Sequence, residues 1–298
     1  MNSAADFHHI LAGMDDGGLA DPALVAAVEL GAALDIPVKL LHARPEPPHD
    51  HASPTELARH RAALLERVRR EQLAHLAKAF ARHGHTASES LLTVQLGDPA
   101  EQLVAQAGAN APALVVLGPH RDRGLFDLGG TTRAVLDAAV APVWVQAGPF
   151  AMIRRVLVAV DLVAEGARVV AFASTLATRL GASLACVHAY EPPTLADPAD
   201  DPSGAIADDR RDAARELADL LAEVELPPGS SIEVVDGAPA DALLARQDST
   251  DLMVLGSHGR SRIGELLLGS VAHAMLRAAA VPVVVLPRQL LGITAGSP

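Results

Sequence analysis

Gly256-Ser-His-Gly259 is followed, after nine residues, by Gly269-Ser270, and the whole stretch comes directly after the apolar run Leu252–Leu255. An apolar run, a glycine-rich loop and a helix start together lay backbone N–H groups around an anion. Gly256 can turn the chain where a strand ends, and Gly259 lets backbone approach a ligand with no Cβ in the way. Gly269-Ser270 adds amides, a hydroxyl and the positive end of a helix dipole. The chemistry this suits is the holding of a phosphate, as in a nucleotide. Arg260 follows in the loop and could meet phosphate oxygens, although a solvated loop arginine has the same appearance. Asp161, at the end of the run Val156–Val160, has two readings. It either caps the next helix or accepts hydrogen bonds from an adenine amino group or a ribose hydroxyl.

Other chemistries find no residues to perform them. No Gly-Lys pair occurs, so the loop is not a Walker A motif, and no G-x-G-x-x-G fingerprint for a dinucleotide is present. The 13 histidines show no metal-ligand spacing. His188 and His258 recur as His42 and His120, and all four read as hydrogen-bonded structural residues. No Ser/His/Asp or Cys/His set is assembled, so no catalytic residue and no metal ligand is assigned. A binding protein rather than an enzyme is expected; the alternatives are a slow ATPase or nucleotidyl-transfer enzyme using the same pocket, and a nucleotide-free interaction module in which the glycines serve only the fold.

The elements that must position the glycines are written twice. Ile10–Asp15 matches Val156–Asp161, and Leu40–Ala43 matches Cys186–Ala189. Gly97–Ala100 matches Gly237–Ala240, Leu114–Gly118 matches Leu252–Gly256, and Ala141–Val145 matches Val281–Val285. The offset is 146 residues at the first two landmarks and 138 to 140 at the rest. A longer middle helix in the first half accounts for the drift. There Ser53-Pro54-Thr-Glu56 has a capping-box pattern, so a helix is expected from that point towards Phe80. Strands apolar throughout and joined by helices imply parallel sheets buried on both faces. The expected architecture is α/β: two tandem doubly wound domains, residues 1–148 and 149–298, each a five-stranded parallel sheet flanked by helices in strand order 3-2-1-4-5. In the second half the strands are expected at Val156–Asp161, Ser183–Ala189, Ser231–Val235, Leu252–Leu255 and Pro282–Leu286. Its helices are expected at about Glu165–Leu180, up to Leu221, at Pro239–Gln247 and at Ser270–Ala279. Ligands of such sheets sit beyond the carboxyl ends of the strands, where the winding reverses.

With 298 residues, half of them apolar, and a positive mean hydropathy, the chain can bury two cores. A net charge of −12 disfavours nucleic acid and anionic membrane, which need clustered Lys and Arg. The single cysteine, Cys186, lies in an apolar run and reads as a packed strand residue in a reducing compartment. No leader-like pattern opens the sequence and no apolar run approaches bilayer length, so a cytoplasmic location is expected.

With these residues the chain resembles the universal stress proteins in their tandem two-domain form. The family's G-x2-G-x9-G-[ST] signature is met by Gly256, Gly259, Gly269 and Ser270. The resemblance implies an ATP-binding role in stress physiology, with a divalent ion such as Mg2+ accompanying the phosphates. It would place Ala159 and Asp161 against adenine and ribose, and Ala189 at the adenine. Gly256 and Gly259 would lie along the phosphates, and Gly269, Ser270 and Val271 would close on them. The first-half counterparts are Gly13, Asp15, Ala43, Gly118, Gly130 and Thr131. There Arg121 stands where the second glycine belongs and the loop is one residue shorter, so weaker or different binding is expected at that site. Arg121 could alternatively pair with a phosphate. The family's final strand pairs across a dimer interface. Val143–Val145 and Val283–Val285 would do so within the chain as a pseudo-dimer, and two chains are expected to form a homodimer.

Overall fold

In the computed structural model of the chain, residues 7–46, 53–109, 113–118, 129–138, 141–192, 203–257 and 268–291 are described. They divide between Phe150 and Ala151 into two units. Gly259, Arg260 and Arg121 lie outside the described residues, as do His120 and His258.

The first unit runs β1 (His9–Met14), α1 (Asp21–Leu34), β2 (Val38–Arg44), α2 (Pro54–Ala81), β3 (Leu92–Leu96), α3 (Pro99–Ala109), β4 (Ala113–Leu117), α4 (Gly130–Ala138) and β5 (Val143–Val145). All its strand pairs are parallel, in the order β3-β2-β1-β4-β5. The second unit runs β6 (Arg155–Ala159), α5 (Ala164–Leu180), β7 (Ser183–Tyr190), α6 (Ser203–Leu221), β8 (Ser231–Asp236), α7 (Pro239–Leu244), β9 (Leu252–Gly256), α8 (Ser270–Ala278) and β10 (Val283–Leu286). It repeats the order as β8-β7-β6-β9-β10, again parallel. The expected fold class and strand order are those observed.

Local chemistry sets the element ends. Ser53 caps α2 with a complete capping box: its backbone N–H donates to Glu56 Oε2 at 3.0 Å, and its Oγ accepts from the Glu56 N–H at 3.4 Å. α5 stops at Gly181, whose φ of 65° is left-handed and lets Ala182 N–H reach back to the Ala177 carbonyl. α7 ends three residues before the expected Gln247. The hydroxyls of Ser249 and Thr250 both donate to the Arg246 carbonyl, at 3.0 and 2.9 Å, and draw the chain into a 3₁₀ turn over Gln247–Ser249. β6 ends at Ala159 rather than Asp161. Val160 N–H adds one more ladder bond, to the Val187 carbonyl, and Asp161 lies past the pairing.

Each sheet is covered on both faces. In the first unit α1 and α2 pack on one side and α3 with α4 on the other, around Ile10, Leu24, Phe80, Leu114 and Trp144, all fully buried. Trp144 satisfies its indole N–H on Gln146 Oε1 at 2.8 Å. In the second unit α5 and α6 oppose α7 and α8 across Val158, Val254 and Val284, with Phe172 and Met275 supplied by the helices. Such burial contributes about 25 cal/mol per Å2 of apolar surface, which is why strands of Val, Leu and Ala suffice with few aromatics.

Cys186 has no exposed surface, and burial pushes its thiol up to about 12. It is therefore expected to ignore a thiol reagent at pH 8 in the native chain and to react fully in denaturant. Rapid labelling of the folded protein would contradict this packing. Among the described residues no helix is long and apolar enough to cross a membrane.

Candidate functional site

In both units the chain winds outward from its first strand, returns, and places its fourth strand beside the first. β1 pairs with β4 from His9↔Ala113, and β6 with β9 from Val156↔Leu252. The reversal of winding leaves a crevice beyond those carboxyl ends. The described members of the expected set lie at the ends of the strands and at the starts of α4 and α8.

In the first unit Gly13 is the penultimate residue of β1, Asp15 follows β1, Ala43 lies near the end of β2 and Gly118 follows β4. Gly130 and Thr131 open α4. Gly13, Asp15, Ala43, Gly118 and Thr131 line one cleft of about 300 Å3. Leu103 and Leu117 give it an apolar wall, and Asp16 and His42 a polar one. Gly130 is not among the lining residues, and a Cβ there would meet nothing.

Asp15 organises the wall. Its Oδ1 accepts from the amides of Gly18 at 3.1 Å and Ala20 at 3.2 Å, which fixes the turn leading into α1. His42 donates from Nδ1 to the Met14 carbonyl at 3.1 Å, and His188 does the same to the Val160 carbonyl at 2.9 Å. Both histidines thus have the structural role expected, each holding the carbonyl that precedes the site aspartate.

Gly118 is required by packing. A Cβ there would lie 2.7 Å from Ala20 Cα, a backbone atom that cannot swing away. Gly118→Ala is expected to cost roughly 1 kcal/mol by overpacking. Thermal denaturation should show a lower midpoint, and an unchanged one would remove this constraint.

In the second unit Ala159 ends β6, Asp161 lies two residues on, Ala189 lies next to the end of β7, and Gly256 ends β9. Gly269 is the N-cap of α8, and Ser270 and Val271 are its first two residues. The two ends of the glycine motif meet: Gly269 N–H donates to the Ser257 carbonyl at 2.6 Å, while Ser257 N–H donates to Leu286 on β10 at 2.8 Å. Gly269 therefore does not offer its own amide to a ligand, as its motif position suggests. The first-turn amides of α8 remain, since its N-cap makes no side-chain hydrogen bond. Asp161 is not the cap of α5; that position belongs to Val163.

Sequence reasoning passed over Gly166. It lies buried in the first turn of α5, and a Cβ there would run into the Asp161 carbonyl oxygen. The available signal was a glycine inside a helix, which is costly unless backbone comes close.

The Universal stress protein family model matches residues 6–146 and again 152–287. The chain belongs to the universal stress protein family. A universal stress protein of Mycobacterium tuberculosis is 35% identical over 189 residues, 59% of this chain and 62% of that protein's length. One from Thermus aquaticus is 33% identical over 136 residues, covering 44% of this chain and 97% of the relative. A functionally unknown protein from Pseudomonas aeruginosa superposes with a TM-score of 0.64 at 20% identity, covering 98% of this chain and 97% of that one. A putative universal stress protein from the same organism gives 0.61 at 21%, covering 97% and 96%. These two likenesses speak for the fold of a tandem universal stress protein.

Proposed function

We propose that this universal stress protein is a regulatory module that holds ATP at the carboxyl ends of the strands in its second unit, without turnover as its purpose. The observation that carries this reading is the convergence of Gly256, Ser257 and Gly269. The end of β9 and the start of α8 are hydrogen-bonded together, so the first-turn amides of α8 stand beside the crevice between β6 and β9. Amides at a helix start, held in place before any ligand arrives, suit phosphate oxygens. Ser270 is exposed at that point and would add its hydroxyl. Asp161 and Ala189, at the ends of β6 and β7, would face ribose and adenine.

Among the described residues no group of three or more His, Cys, Asp or Glu is placed to hold a metal ion. Mg2+ would accordingly arrive with the phosphates and be held chiefly by them. Bound ATP would stabilise the second unit by mass action and favour the conformation a partner reads.

The test is chemical: denature the purified protein and analyse the released small molecules by mass spectrometry. Stoichiometric ATP is the expected result. ADP accompanied by measurable turnover would make the protein an enzyme, and the absence of any nucleotide, with none bound on titration, would overturn the reading.

A further inference from the structure

A second cavity, of about 230 Å3, lies at the other end of the second unit's sheet, by the amino ends of β6, β7 and β8. The strand register builds its floor. Arg155 pairs with Ser183, Leu157 with Ala185, Ala185 with Ser231 and Val187 with Glu233, so these side chains share one face of the sheet. α7 packs over β7 on that face but stops after six residues, where its counterpart α3 runs for 11. Arg246, just past the end of α7, joins the lining.

The first unit has different residues at the matching positions. Ser183 corresponds to Pro37, Ala185 to Lys39 and Ser231 to Leu91, so the second unit is smaller at all three. Arg155 replaces His9 and Glu233 replaces Thr93, which adds charge of both signs. A shortened helix, a lowered floor and new charges therefore coincide at one spot, as a ligand site requires and solvation alone does not.

The lining specifies the chemistry of its occupant. Glu233 Oε1 accepts from Ser231 Oγ at 3.0 Å, and its Oε2 lies 3.5 Å from Arg246 Nη2. Arg246 Nη1 donates to the Ala242 carbonyl at 3.5 Å, so both contacts of this guanidinium are long and weak. Arg155 gives Nε and Nη2 to Asp251, at 3.5 and 2.7 Å, which leaves Nη1 to serve a ligand. The hydroxyls of Ser183 and Thr250 donate to backbone carbonyls at 3.2 and 2.9 Å, so towards a ligand they are acceptors. Two guanidinium groups, one carboxylate and hydroxyl oxygens thus surround a floor made apolar by Leu157 and Val187. A molecule with two carboxylates and one ammonium group is their complement. The volume equals roughly eight water molecules at about 30 Å3 each, which suits an amino acid and is too little for a nucleotide.

We infer that this cavity binds an acidic amino acid, with Arg155 and Arg246 taking its carboxylates and Glu233 its ammonium group. The site lies at the opposite ends of the strands from the crevice assigned to ATP, and neither assignment depends on the other.

Calorimetric titration of the full-length protein with L-aspartate and with L-glutamate should show one equivalent of at least one of them bound. Succinate, which has the two carboxylates but no ammonium group, should bind at least tenfold more weakly. Glu233→Gln should weaken the amino acid about tenfold, the scale of a hydrogen bond to a charged group, and so close most of the gap to succinate. Arg246→Gln should weaken it by a similar factor. Ala185→Lys, which installs the first unit's residue, should abolish binding by filling the floor. The two glutamine variants nearly keep the size of the half-exposed side chains they replace, and they preserve the test should the lysine variant fail to fold. A Kd weaker than about 1 mM for both amino acids overturns the inference. So does succinate bound as tightly as the amino acid, or an affinity that Glu233→Gln and Arg246→Gln both leave unchanged.

Discussion

Gly166→Ala is expected to lower the unfolding midpoint of the second unit by about 6–12 °C, from a loss of roughly 3 kcal/mol. The added methyl would overlap the Asp161 carbonyl oxygen, and that peptide has little freedom to yield. Its oxygen accepts from Val163 N–H at 2.8 Å, and the Val163 carbonyl accepts from Gly166 N–H at 2.8 Å. The methyl therefore opens two consecutive turns at once. Alanine's better helix propensity, worth about 1 kcal/mol over glycine, offsets only part of this. Because Asp161 moves with its own carbonyl, nucleotide affinity at the second site should fall along with stability. A calorimetric scan with an unchanged midpoint would show that the first turn of α5 can relax, contrary to this expectation.

Gly269→Glu should cut ATP affinity by a hundredfold or more while leaving the fold intact. The backbone at Gly269 has φ −67° and ψ 157°, extended angles open to any residue. A carboxylate at the N-cap also favours the helix dipole by about 0.3–1 kcal/mol, so α8 should if anything be firmer. The same charge would sit where phosphates are to bind, and like charges brought together cost several kcal/mol. The variant thus separates the two effects: melting midpoint held or raised, ATP affinity lost. Retained affinity would place the nucleotide elsewhere.

Much of the fold was legible because its strands are unbroken apolar runs. Leu114–Leu117 and Leu252–Leu255 are buried along their whole length, as residues covered on both faces must be. The start of α2 was legible in Ser53 and Glu56, since a capping box is a local device. The end of α7 was not. It depends on two hydroxyls competing for one carbonyl, which leaves no periodic trace. The first-unit crevice was legible in outline, because duplication marked Gly13, Asp15, Ala43 and Gly118 as strand-end positions. What escaped were contacts made across distance. Gln72 reaches Asp16 across 56 residues, and Gly166 owes its identity to a neighbouring carbonyl. Neither relation is visible until the helices pack.

The matched imidazole-to-carbonyl bonds carry a consequence for how this chain can be rebuilt. Each spans 28 residues, His42 to Met14 and His188 to Val160, so the two copies kept the same spacing through their first crossover. The drop in the offset between the copies, from 146 to 138–140 residues, lies downstream of that span, where α2 has 28 residues against 19 in α6. Splice points for chimaeras of the two copies therefore belong after Ala43 and Ala189, where the segment from β1 to β2 can be exchanged for that from β6 to β7 without altering its register.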